Sequence, residues 1–127
     1  MSVKFLSEEW AEAVTKAVNE NEAFQKAAGS QVARIQNVVA TPEGEKKYFF
    51  TLEGGTAQLS MGEIDGPDAT ISQDYQTAMA LSKNDLSATA AFMSGKIRVS
   101  GDLMKLMQMQ GIFSTLPQAL ATIEVEY

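Results

Sequence analysis

The spacing of apolar residues changes period twice along the chain. Between residues 7 and 28 it is helical: Trp10, Val14, Ala17 or Val18, and Phe24 recur on one side. Ser7 stands where a side-chain oxygen can cap the first turn, and Glu8 and Glu9 suit the positive end of the helix dipole. Gly29-Ser30 closes the segment. From residue 32 the period becomes two. VARIQNVVA (32–40) and KKYFFTLE (46–53) read as strands joined through the hairpin connection TPEGE. TAQLSM (56–61) follows Gly54-Gly55 and sets Ala57, Leu59 and Met61 against Thr56, Gln58 and Ser60. DATIS (68–72) repeats the alternation with Ala69 and Ile71 inward. The expectation is a four-stranded meander with one dry face and one wet face.

Helical spacing returns at 74–83 (DYQTAMALSK), which places Tyr75, Ala78 and Met79 along one side. In 85–93 (DLSATAAFM), Leu86, Ala90 and Met93 fall together, flanked by Phe92. KIRVS (96–100) is a further strand, framed by Gly95 and Gly101, with Ile97 and Val99 facing away from Lys96, Arg98 and Ser100. Asp102 then occupies the N-cap position of a last helix, in GDLMKLMQMQGIF (101–113). At ~100° per residue, Leu103, Leu106, Met107 and Gln110 share one side of it. Met104 extends that side at one edge, and Met109 and Phe113 extend it at the other. Such an arc is wider than a helix in a two-layer domain requires. A helix wedged into the core, a subunit interface, or the wall of an apolar cavity lined by adaptable methionines would each account for it. The Gln110 amide lies within this arc and needs a partner, whether backbone, water or the polar head of a ligand.

A length of 127 residues with 45% hydrophobic and 20% charged positions fits one soluble domain spanning 1–127. Helices on one side of an alternating sheet make it a two-layer α+β domain. The net charge of -6 argues against nucleic acid as a partner. Cysteine and histidine are both absent, which removes disulfides, thiol nucleophiles, Cys/His zinc sites and imidazole acid–base chemistry. Glu63 and Asp65 in the GEIDGP loop offer an acid and a base, but acidic loop residues without an accompanying oxyanion donor are ordinary turn formers. No apolar run approaches the ~20 residues of a membrane span, and the first residues turn acidic too soon for a signal peptide. The expected location is cytoplasmic.

The order of elements, together with residues 68–109, resembles the sterol carrier protein 2 (SCP2) family. Its most specific part here is 88–102, within which A-F-M-x-G-K-I-x-V-x-G-D runs from Ala91 to Asp102. The resemblance implies a five-stranded, mostly antiparallel sheet covered on one face by helices, with a lipid in a hydrophobic tunnel between the layers. It also implies binding and transfer of sterols, fatty acids, acyl-CoA or phospholipids without catalysis, and with neither cofactor nor metal. On that basis the ligand-lining candidates on the middle helices are Met79, Phe92 and Met93. Those on the last helix are Leu103, Met104, Leu106, Met107 and Phe113, and those on the sheet are Phe50, Leu59 and Ile71, with Gln110 as the contact for a polar head. Asn84, Ala88 and Met104 stand where relatives carry glycine, proline and a small residue, and the chain ends IEVEY, without the peroxisomal tripeptide of some relatives. The expected partners are an apolar small molecule, a transient membrane contact helped by Lys96 and Arg98, and a homodimer through the broad last helix. The alternative is an accessory or dimerisation module that presents apolar substrates to a separate enzyme.

Overall fold

A computed structural model of the chain describes residues 2–83, 85–86, 88–113 and 115–126; the side chains at 88, 89, 110, 113, 116 and 117 lie outside the described set. The elements are β1 (Val3–Lys4), α1 (Glu8–Asn19), α2 (Glu22–Ala28), β2 (Ala33–Thr41), β3 (Gly44–Glu53), β4 (Thr56–Met61) and β5 (Ala69–Asp74). They continue with α3 (Tyr75–Ser82), α4 (Ala88–Met93), β6 (Ile97–Gly101), α5 (Leu103–Gln108), α6 (Gln110–Phe113), α7 (Leu116–Leu120) and β7 (Val125–Glu126).

Five strands form one sheet in the order β4-β3-β2-β5-β6, antiparallel except for the parallel pair β2–β5. The expected two-layer α+β architecture is present, but the meander is not. β5 crosses beneath β3 and β2 instead of pairing with β4. The crossover, residues 62–68, spans three strand spacings, ~14 Å, over the polar face of the sheet. Gln36 on that face holds it in place: its Oε1 accepts the Ile64 N–H at 2.8 Å, and its Nε2 donates to Gly62 O at 3.1 Å and Tyr48 O at 3.0 Å. The far end of the crossover is tied to β2, where Arg34 N–H donates to Asp68 Oδ2 at 2.9 Å and Asp68 N–H donates to Arg34 O at 2.7 Å. Lys47 and Glu63 pair across it at the surface. Glu63 is thereby engaged in an exposed ion pair, which raises the Lys47 pKa and lowers that of Glu63 through their hydrogen bond and charges.

The opening helical segment is two helices. Asn21 breaks it, because its Oδ1 accepts the Phe24 N–H at 2.9 Å and so starts α2 in a new direction. α1 buries Trp10, Ala11, Val14 and Val18, and α2 buries Phe24 edge-on against Phe50 with ring centroids 6.3 Å apart. α1 also closes the outer edge of β4. Asn19 Nδ2 donates to Ala57 O at 2.8 Å, and Asn19 Oδ1 accepts Ala57 N–H at 2.9 Å. Thr15 Oγ1 accepts Leu59 N–H at 2.9 Å. Four helical residues rise ~6 Å and two strand residues ~6.7 Å, so Thr15 and Asn19 fall opposite Leu59 and Ala57. An edge strand that would otherwise offer free backbone groups to another chain is satisfied by side chains.

The last helix is also divided. α5 ends at Gln108 and is capped by Met109, whose N–H bonds to Lys105 O and Leu106 O, and α6 begins at Gln110. α7 follows, and β7 pairs in parallel with β1 through Val3↔Val125 and Lys4↔Glu126. No described helix is long and apolar enough to cross a membrane.

Candidate functional site

Strand register sets four rows of side chains across the helix-covered face of the sheet, and the first, Ala57, Leu52 and Ala33, is buried throughout. Leu59, Phe50, Ile35 and Ala69 form the second row, and all are buried. Lys46, Val39, Gln73 and Ile97 form the fourth row, in which Lys46 is partly exposed and the other three are buried. Between these two, Met61, Tyr48, Asn37, Ile71 and Val99 form the third row, and here only Asn37 is buried; the others keep partial exposure. In a closed two-layer domain the middle of the covered face is its driest part. Here the row of Ile71 and Val99 is less covered than the positions beside it, although both residues pack against the core.

The placement of the helices accounts for this exposure. α1 packs on β4, α3 on β2 and β5, α4 on β6, and α5 on β5. α3 and α5 start beside opposite ends of β5, a strand ~17 Å long. At one end Asp74 caps α3, its Oδ1 accepting the Thr77 N–H at 2.7 Å. At the other, Asp102 N–H donates to Asp68 O at 2.8 Å, and Asp102 Oδ1 caps α5 by accepting the Lys105 N–H at 3.0 Å. Ile71 and Val99 face each other between these two origins. Gly101 permits the turn into α5. Its φ is +99°, and a Cβ there would lie 2.7 Å from Asp68 O.

The predicted lining residues divide into two groups. Phe50 and Leu59 are buried in the second row, Ile71 is partly buried in the third row, Met79 packs against the core from α3, and Leu106 is buried from α5. The others point outward: exposure is 42% at Phe92, 81% at Met93, 40% at Leu103, 65% at Met104 and 55% at Met107. The reason lies in how each helix is seated. Leu106, Met109 and Ile112 take the inward side of α5 and α6, which rotates Leu103, Met104 and Met107 away. Met93, expected to share the buried side of its helix with Ala90, is displaced outward because fully buried Ala91 lets α4 approach closely. The side chains of Gln110 and Phe113 lie outside the described residues.

Two polar residues on the covered face were missed. Asn37 lies beside Ile71 in the third row, and Gln73 lies one pair further along β5. Both are inward positions of alternating strands, and that alternation was the available signal; the strand assigned to 68–72 stopped one residue short of Gln73. Tyr48 keeps some exposed surface, but burial of its phenol pushes the pKa up to about 12, so it stays protonated at neutral pH. Asp74 is held below the usual carboxylate range, chiefly by its hydrogen bonds from Thr77, with Lys96 adding to them. Among the described residues no three acidic side chains gather to hold a metal. A separate cleft of about 210 Å³ lies near the β3–β4 turn, lined by Arg34, Glu53, Thr56 and Gln58 together with apolar Val32 and Leu52.

A family model described as the SCP-2 sterol transfer family matches residues 7–114. Stomatin-like protein 1 of Mus musculus is 33% identical over 96 residues, covering 73% of this chain and 24% of that protein. The chain thus spans about a quarter of the length of that curated relative. In fold, it matches a conserved hypothetical protein from Thermus thermophilus with a TM-score of 0.80 and 20% identity, covering 99% of this chain and 94% of the other. It matches the crystal structure of sterol carrier protein 2 with a TM-score of 0.76 and 22% identity, covering 94% and 99%.

Proposed function

The chain belongs to the SCP-2 sterol transfer family, and from that premise we propose that it carries one elongated apolar lipid in the space above Ile71 and Val99. The observation that carries this reading is the partial exposure of Ile71 and Val99 between buried Ala69 on one side and buried Gln73 and Ile97 on the other. A ligand chain laid along that row would cover Ile71 and Val99 and reach Met79. Burying each methylene is worth ~0.8 kcal/mol, and a bilayer returns nearly the same amount. Exchange between membrane and protein is therefore close to balanced, which is the condition for delivery as well as capture. No residue of the trough is asked to react: the role is non-enzymatic, and neither cofactor nor metal takes part.

Within this reading Met93, Met104 and Met107 form the apolar rim that meets a bilayer transiently, with Lys96 and Arg98 on the adjoining strand segment offsetting the acidic exterior. Native mass spectrometry of the purified protein, incubated with a panel of fatty acids, fatty alcohols, acyl-CoA, phospholipids and sterols, tests the carrier reading. One lipid-sized adduct per chain is expected. A clean protein mass after every incubation would refute it.

The second reading, a module that presents apolar substrates beside an enzyme or helps it dimerise, draws on one observation. The match to the stomatin-like relative occupies only 24% of that longer protein. Lipid uptake only in the presence of a partner protein would favour this reading over the free-standing carrier.

A further inference from the structure

Resting on the carrier reading, we infer that Gln73 receives the polar head of the lipid and gives the trough a preference for an uncharged head bearing a hydroxyl over a free carboxylate. Gln73 is only 9% exposed, and its Oε1 is buried without a hydrogen-bond partner. A buried amide oxygen left unpaired is unfavourable unless some donor completes it. Register places this side chain on the covered face between Val39 and Ile97, one residue pair beyond Ile71 and Val99. The polar group therefore stands at the end of the trough beside the origin of α3, where a chain lying over Ile71 would terminate.

Asn37 supports the assignment independently. It is 8% exposed and is the register partner of Ile71, so two amides sit diagonally on a sheet face whose remaining central positions are mostly apolar. The other buried atom without a hydrogen-bond partner among the described residues, Trp10 Nε1, has a different explanation. Trp10 lies in T-shaped contact with Phe5 and Tyr48, with ring centroids 5.1 and 5.2 Å away, and in such aromatic surroundings an indole N–H gains from a ring face. A carbonyl oxygen does not, because the ring face is itself negative. Gln73 therefore calls for a donor. A hydroxyl supplies one, whereas an ionised carboxylate has no proton to give Oε1; the Gln73 Nε2 can donate to either head, so the preference rests on the one bond to Oε1.

The test compares 1-hexadecanol, palmitate and hexadecane on wild type and on Gln73→Met, which keeps the length of the side chain and removes the amide. Wild type should prefer hexadecanol. The variant should lose about tenfold in hexadecanol affinity, the scale of one hydrogen bond, while hexadecane binding is unchanged. An unchanged preference in a folded Gln73→Met protein would overturn the inference while leaving the carrier reading intact, as would a loss confined to palmitate. Changed thermal stability with the same ligand order would assign Gln73 a structural role instead. If wild type takes up none of the three, nor any lipid of the wider panel, the carrier reading fails and this inference fails with it.

Discussion

Filling the trough from its floor separates a ligand site from ordinary packing. Val99 faces Ile71 across β5 and β6, and both retain exposure on the covered side of the sheet. Val99→Trp adds about seven non-hydrogen atoms, enough to displace about four methylenes of a bound chain at ~0.8 kcal/mol each. The expected loss is about 3 kcal/mol, or roughly 100-fold in Kd. Fluorescence displacement with a pyrene-labelled lipid measures the affinity, and thermal melting by circular dichroism measures the fold. If the space is open, the indole occupies it and the melting temperature stays within about 3 °C of wild type, equivalent to less than ~1 kcal/mol in a domain of this size. If Val99 were closely packed, overfilling would cost ~1–3 kcal/mol and lower the melting temperature accordingly. Ser100→Trp, one residue along and on the polar face, is the control and should bind as wild type does. A folded Val99→Trp protein with undiminished lipid affinity would refute the placement of the ligand, and a large loss of stability would refute the open trough.

Three further outcomes follow from the same contacts. Asn19→Ala removes both bonds to the β4 edge and should cost about 1–3 kcal/mol, seen as a lower urea midpoint, with increased self-association at high concentration as the freed edge becomes available. Gly101→Ala forces a Cβ to within 2.7 Å of Asp68 O at a positive φ and should cost at least ~2 kcal/mol, while an unchanged melting temperature would show that the turn into α5 adapts freely. Asp74 is held below its ordinary value of 3.8, so its contribution is complete above about pH 4 and is lost as the pH falls through the depressed value. Asp74→Asn keeps an α3 cap that does not titrate. Acid unfolding should therefore be shallower in that variant below about pH 4, and coincident curves would remove Asp74 from the acid limb.

The legible parts of the fold were those governed by local period. Ala57, Leu59 and Met61 alternate because one face of β4 packs and the other is wet, and Asp102 caps α5 as its position after Gly101 implied. Sequence period carries no information about the crossover of 62–68, which depends on Gln36 meeting a loop 26 to 28 residues away. It is equally silent on β1 and β7, each too short to show a period. The helical wheel established that α5 is apolar through most of its circumference. Which third faces inward was decided by tertiary packing, which took Leu106, Met109 and Ile112 and left Met104 and Met107 outside.

The same limits apply to the site, but there the mismatches are informative. A sequence selected only for a dry core would place aliphatic residues at Asn37 and Gln73 and polar residues at Met93 and Met104, because each choice would lower the free energy of the folded chain alone. This chain does the reverse at all four positions. Local choices that oppose the fold persist where another requirement outweighs stability. An apolar guest with one polar end, taken up at an apolar rim and held over Ile71 and Val99, accounts for both reversals: the Gln73 oxygen finds a partner when the guest is bound, and the methionines when it passes in or out.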